Sequence, residues 1–170
     1  MQTRALQTSQ ATANIEIGFE VSEFLSVVIS NNWVNGRYKR LVLEAPEAAL
    51  AVKAGQFFHL LCPASDAGQP FLRRPMSVYR IDQANSCIEF LYKCVGSGTL
   101  GMANLKAGDT FNVMGPLGIG FHINPAWKHI TVLGRGVGLA TLAPLAQSAA
   151  GQGVSTTAIL SAQKKEYLMS

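Results

Sequence analysis

Arg73-Arg74-Pro75-Met76-Ser77-Val78-Tyr79 is the stretch around which this chain is organised. Pro75 lacks a backbone N–H and fixes its own φ, so the segment is not a helix interior, and Arg74 before it is biased toward an extended conformation. Val78, Tyr79 and Ile81 continue it as a strand. Such a segment presents a guanidinium and, three residues on, a hydroxyl. A planar fork of five donors suits a diphosphate better than an ammonium does. Ser77 can donate to, or accept from, the polar edge of a planar ring. Taken alone, the heptapeptide fits a surface strand with two solvated arginines equally well.

Working outward toward the N-terminus, residues 64–70 form a polar loop with Gly68 and Pro70. Residues 56–62 are an apolar run of strand length between Gly55 and Pro63. His59 lies within it and reads as structural. Residues 46–52 are an Ala-rich linker with room for one helical turn. Residues 38–43 and 24–29 read as two further strands, with turn signals at Asn31-Asn32 and Asn35-Gly36 between them.

Toward the C-terminus, residues 82–86 read as a hairpin turn. Residues 87–94 are the clearest strand, with Ile88, Phe90, Tyr92 and Cys94 on one face. Val95-Gly96-Ser97-Gly98-Thr99 follows, then residues 100–105. This pattern is a glycine turn, Thr99 as N-cap and a short helix. It fits an anion site at the helix start or an ordinary capped helix. A turn at 106–109 leads to a strand at 110–114. Gly115-Pro116-Leu117-Gly118-Ile119-Gly120-Phe121 reads as an irregular boundary loop. Short strands and tight turns up to that point predict an antiparallel β-barrel.

Beyond the loop the texture changes. Residues 128–133 form a buried-type strand, and Gly134-Arg135-Gly136-Val137-Gly138 follows directly. An Ala- and Leu-rich helix spans 139–150, with Pro144 tolerated only near a first turn. Glycines 151 and 153 end it, and residues 154–160 are a second strand. This is a βαβ unit with glycines at its first turn, although G-x-G-x-G departs from the dinucleotide fingerprint G-x-G-x-x-G.

Composition narrows the classes. At 48% hydrophobic and 14% charged over 170 residues, the chain can bury a core. The net charge of +4 is spread out, without a basic stripe interleaved with aromatics, so nucleic acid is not the expected partner. Cys62, Cys87 and Cys94 are odd in number, contain no CxxC and read as small apolar residues in strands, which fits a reducing, cytoplasmic setting. No stretch reads as a membrane span, so no membrane insertion is expected. Residues 1–20 open in Gln, Thr, Ser and Ala and read as a flexible extension.

In their order, Arg73-Arg74-Pro75-Met76-Ser77, Val95-Gly96-Ser97-Gly98-Thr99, Gly115-Pro116-Leu117-Gly118 and the glycine turn at 134–138 resemble the ferredoxin-reductase-like flavoproteins. Among these, the electron-transfer subunits of dihydroorotate dehydrogenase, a flavoenzyme of pyrimidine biosynthesis, look most similar. The resemblance runs from about Phe24 onward. It implies an FAD-binding β-barrel at 21–121, then an incomplete NAD-binding α/β domain at 122–170.

The resemblance also assigns residues. Arg74 would clamp the FAD diphosphate within a cofactor-binding run that includes Pro75 and Met76. Ser77 would touch the reactive edge of the flavin and be the catalytic position. Gly96, Gly98 and Thr99 would face the same diphosphate, and Gly134, Gly136 and Gly138 would cradle the NAD(H) pyrophosphate. The activity implied is an NAD(P)H-dependent FAD oxidoreductase that passes electrons to a catalytic dehydrogenase subunit or other acceptor, in an oligomer. The alternatives are a docking module without chemistry, or a reductase of the ferredoxin or oxygenase type.

Departures from the pattern are also visible. Met76 stands where many relatives carry a Tyr stacked on the flavin, and Thr141 stands where a proline is common. The family's chains run on to a cysteine cluster holding a 2Fe-2S centre, so this one is expected to be a truncated form, without the ligands of that centre.

Overall fold

The computed structural model describes residues 21–169; the extension read at 1–20 lies outside them. Seven antiparallel strands form one sheet in the order β4-β3-β7-β1-β2-β6-β5. They are β1 (Ser22–Trp33), β2 (Tyr38–Glu44), β3 (Phe57–Leu60), β4 (Arg74–Ser77), β5 (Arg80–Asp82), β6 (Cys87–Lys93) and β7 (Thr110–Leu117). The outermost strands are consecutive in the chain. β4 pairs with β3, β5 pairs with β6, and Val78 and Tyr79 join them. The Tyr79 N–H donates to the Glu89 carbonyl at 2.8 Å, and the Val78 N–H reaches the Gln56 carbonyl at 3.5 Å. One extended segment therefore changes partner midway and curls the sheet into a barrel.

The interior follows from strand alternation. Leu41 and Leu43 of β2, Phe58 and Leu60 of β3, and Ile88, Phe90 and Tyr92 of β6 point into one core. Phe24, Phe58 and Phe90 meet edge to face at 6.3 and 5.8 Å. Each such pair contributes about 0.5–1.5 kcal/mol beyond its burial. The other face of β6 is covered too: Leu91 packs with Tyr38 and with Ala140 from the second part of the chain.

That second part is a βαβ unit. β8 (His129–Arg135) and β9 (Ser155–Ser161) are parallel and in register, and the crossover carries a 3₁₀ turn (Gly136–Gly138) and a helix (Leu139–Gly151). Leu133 and Ile159 stay largely exposed on this two-stranded sheet. The other α-helices among the described residues are α1 (Glu47–Leu50) and α2 (Ser97–Ala103), which makes the crossover helix α3; a second 3₁₀ turn follows at Lys165–Tyr167.

Several expectations need correction. Asn31-Asn32 is not a turn; β1 runs through both to Trp33, because Asn31 finds partners inside the structure. Gly115, Pro116 and Leu117 belong to β7 and not to an irregular loop. Gly115 pairs with Ser22, and its missing Cβ leaves room for the Phe58 ring. Pro144 lies in the second turn of α3, where it deprives the Ala140 carbonyl of its helical donor. Only Cys87 is in a strand: Cys62 lies just past β3 and Cys94 just past β6.

Candidate functional site

Arg74 opens β4 opposite Leu60, and its side chain crosses the start of α2. A Cβ placed on Gly98 would stand 3.0 Å from Arg74 Nε and 3.1 Å from its Cγ, closer than ordinary contact. Gly98 is thus the residue that lets the guanidinium lie along the helix. Arg74 Nη1 donates to the Leu72 carbonyl at 2.7 Å, which leaves Nε and Nη2 without a protein acceptor among the described residues. Burial pushes the Cys62 thiol beneath it up to about 11, against the pull of the Arg74 charge. Cys62 is therefore neutral and does not neutralise the guanidinium.

The sequence around α2 explains why it sits there. Gly96 is the N-cap, and Thr99 is three residues into the helix and not at its cap. The Thr99 hydroxyl accepts from the Val95 and Gly96 N–H groups at 2.9 and 3.2 Å and donates to the Gly96 carbonyl at 3.2 Å. It is committed to holding the turn, so what Thr99 can offer a ligand is its backbone. A Cβ on Gly101 would collide with the Pro63 carbonyl, so this face of α2 fits tightly on the loop after β3. Ser65 Oγ ties the same loop to the Ser97 carbonyl at 3.1 Å.

The far end of α2 is held by side chains that sequence reasoning missed. Asn31 Nδ2 donates to the Met102 and Leu105 carbonyls at 2.8 and 3.0 Å, and Lys39 Nζ donates to the Ala103 carbonyl at 2.7 Å. Tyr92 Oη completes Asn31 by donating to its Oδ1 at 2.8 Å. Burial moves the Tyr92 hydroxyl above its usual range and the Lys39 ammonium below its own. The available signal was the amide pair Asn31-Asn32 just after the apolar run Val27-Val28-Ile29, with the strand able to continue through it. Such a group, once buried, needs partners.

Arg73 is used differently. Its guanidinium donates to Glu23 and Asn112 at 2.6 Å each, and Asn112 Nδ2 donates to Glu23 at 2.8 Å. The Asn112 hydrogen bond, reinforced by the Arg73 charge, holds the Glu23 carboxyl below its ordinary value. Arg73 therefore ties the start of β4 to β7 and β1 across the intervening β3, while its neighbour is left for the α2 cluster.

Along the rest of β4, Pro75 is exposed, the Met76 side chain packs on the barrel core, and Ser77 is half-buried opposite Phe57. Two residues on, Tyr79 packs in one cluster with Tyr38, Leu91 and Ala140. The glycine turn comes to the same place. Gly136, at φ +53°, sits where a Cβ would approach Tyr38 Oη to 2.7 Å. Gly134 lies inside β8 and not in the turn, where it admits Leu142 and Leu160, while Gly138 faces open space. The structure thus gathers Arg74, Gly96, Gly98 and Thr99 into one cluster, and sets the glycine turn against the barrel near the exit of β4.

Among the described residues no group of three or more His, Cys, Asp and Glu side chains is placed to hold a metal, and no helix is long and apolar enough to cross a membrane.

No protein-family profile matches the chain. Curated relatives do. The chain is 38% identical over 131 residues to the electron transfer subunit of dihydroorotate dehydrogenase B (NAD(+)) of Streptococcus pneumoniae, covering 76% of this chain and 50% of that one. It is 33% identical over 126 residues to the corresponding subunit of Desulforamulus reducens, covering 74% and 47%. The chain spans about half the length of the curated relatives it matches. Among solved structures, an NADH-dependent reduced ferredoxin-NADP oxidoreductase superposes with a TM-score of 0.74 at 26% identity, covering 86% of this chain and 51% of that one. Phthalate dioxygenase reductase superposes at 0.68 with 16% identity over 85% and 45%, which shows a shared fold.

Proposed function

We propose that this chain, a ferredoxin-reductase-like fold with a sequence related to dihydroorotate dehydrogenase electron transfer subunits, is an FAD-binding electron-transfer protein. It would take electrons from a nicotinamide nucleotide and hand them to a catalytic partner subunit. The observation that carries this reading is the Arg74–Gly98 contact. A cation with free donors is held beside a glycine-opened helix start, which suits a diphosphate.

In this reading Arg74 binds the diphosphate through Nε and Nη2, with the backbone of Gly96, Gly98 and Thr99 alongside. Bound FAD would supply two-electron chemistry, accepting hydride and releasing electrons onward. Pro75 and Met76 shape the floor along β4, and Ser77 places a hydroxyl at the flavin edge. Gly136 and Gly138 bring the start of α3 toward a nucleotide pyrophosphate, with Gly134 admitting the helix close to β8. The barrel at 21–121 and the α/β unit at 122–169 then divide the work between flavin and nucleotide. The partner of this exchange, its assembly into an oligomer and its cytoplasmic setting belong to the same proposal.

The test is a titration of the purified chain with FAD, followed by flavin absorbance and fluorescence. Saturable one-to-one uptake supports the reading. No saturable change in flavin absorbance or fluorescence, and no flavin retained by the protein after gel filtration, overturns it.

A further inference from the structure

Phe71 is the most exposed large apolar side chain among those described, at 94% of its full accessibility. Other apolar side chains are also open, Ile119 at 79% and Leu133 at 72%, but Phe71 is the most open and is the one three residues from Arg74. Its backbone is not loose. Pro70 on one side is buried, and Leu72 on the other gives its carbonyl to Arg74 Nη1 at 2.7 Å. The loop that carries it is tied down further back, where Ser65 and Gly68 bridge and Ser65 Oγ reaches the Ser97 carbonyl. The ring therefore projects from a held stem, three residues before Arg74, whose own side chain lies against Gly98 of α2.

We infer that Phe71 is a stacking platform for the adenine of the dinucleotide whose diphosphate Arg74 holds. This deepens the FAD reading and rests on it. The two contacts have complementary chemistry. A guanidinium recognises the charged middle of the ligand, and an aromatic face recognises a flat base one short linker away. Stacking of a base on an aromatic side chain is tolerant in detail and strong enough to set affinity. Leu72, also largely exposed at 64%, extends the apolar surface at the same tip. A carboxylate or lysine in place of Phe71 would suit a solvated loop tip; a phenyl ring on a held stem does not.

The distinguishing feature is the ligand's adenosine half, which FMN lacks. Wild-type protein should bind FAD more tightly than FMN. Phe71→Ala should weaken FAD by roughly 5- to 150-fold while leaving FMN affinity unchanged, the range for loss of one stacked base. Phe71→Trp should retain FAD affinity. Adenosine diphosphate should compete with FAD on the wild type and compete less well on Phe71→Ala.

Equal weakening of FAD and FMN would assign Phe71 to the loop's structure and overturn the inference. FAD binding that is indifferent to Phe71→Ala would overturn it while the FAD reading stands, and would leave the ring to a protein partner. Failure of the wild type to bind either flavin would overturn both.

Discussion

Replacing Gly98 by alanine separates the site from the fold. The new Cβ would lie 3.0 and 3.1 Å from Arg74 Nε and Cγ and 3.4 Å from Cys62 Cβ. Carbon contacts relax to about 3.5–4.0 Å, so the Arg74 side chain must retreat by roughly half an ångström or more. It can do so, since it is flexible and among the described residues its one hydrogen-bond partner is the Leu72 carbonyl. The helix itself gains, because alanine is favoured over glycine in a helix by roughly 0.5–1 kcal/mol. Gly98→Ala should therefore melt at or slightly above the wild-type temperature. A displaced guanidinium loses part of a charged hydrogen bond, so FAD binding should weaken by about 1–2 kcal/mol, or roughly 5–30-fold. Gly101→Ala is the counterpart. There the Cβ meets the backbone carbonyl of Pro63, which cannot step aside. Its cost of about 1–3 kcal/mol should appear in stability. Thermal melts and FAD fluorescence titrations on both variants decide the matter. Undiminished FAD affinity in Gly98→Ala would refute the placement of Arg74 at the diphosphate.

The two neighbouring arginines should divide in the same way: Arg74→Ala weakens FAD by about 1.5–3 kcal/mol, whereas Arg73→Ala leaves FAD affinity alone and costs about 1 kcal/mol in urea unfolding. Loss of FAD affinity in Arg73→Ala would contradict the Glu23–Asn112 staple. Asn31→Ala removes the donor to two carbonyls and the acceptor of Tyr92, so it should destabilise by about 2–3 kcal/mol; a change within error would show that α2 is held by packing alone. The Cys62 thiol is raised from 9.0 to about 11, so its contribution to stability is fully present below pH 9 and is lost as pH rises through 11. Cys62→Ala should flatten that alkaline limb of a pH–stability profile, and an unchanged limb would argue against a buried thiol as its source.

How much of this was legible in the sequence depended on how far apart the partners lie in the chain. The strand at Tyr38 to Leu43 was readable, because Tyr38 and the apolar run Leu41-Val42-Leu43 follow directly on the Asn35-Gly36 turn signal. So was the βαβ order after Lys128, where the glycine turn and the Ala-rich helix are adjacent in sequence. Asn31 was read as a turn because asparagine favours turns when nothing else claims its amide. Its claimants, Met102 and Leu105, are more than seventy positions away. Gly115-Pro116 failed for a related reason: the ring that needs the glycine is Phe58, on another strand. Thr99 was placed one role off, since a threonine hydroxyl can hold a helix start from the cap or from the first turn. Arg74 stood out in the sequence; what it leans on, Gly98, could be proposed only by resemblance until the two were seen in contact.

The change of partner between β4 and β5 also bears on how the protein opens. Every other strand pairing in the barrel can persist while this one segment lets go of either β3 or β6, so it is the natural slit in the cylinder. The same segment carries Arg74 and Ser77. A ligand gripped there would act as a clasp across the slit, and its hold should be read as slower exchange of the Val78 and Tyr79 amide hydrogens. At a hundredfold excess over its dissociation constant, the clasp would add about 2.7 kcal/mol to the work of opening. If FAD binds at Arg74 as proposed, release of the cofactor and opening of this segment would be coupled.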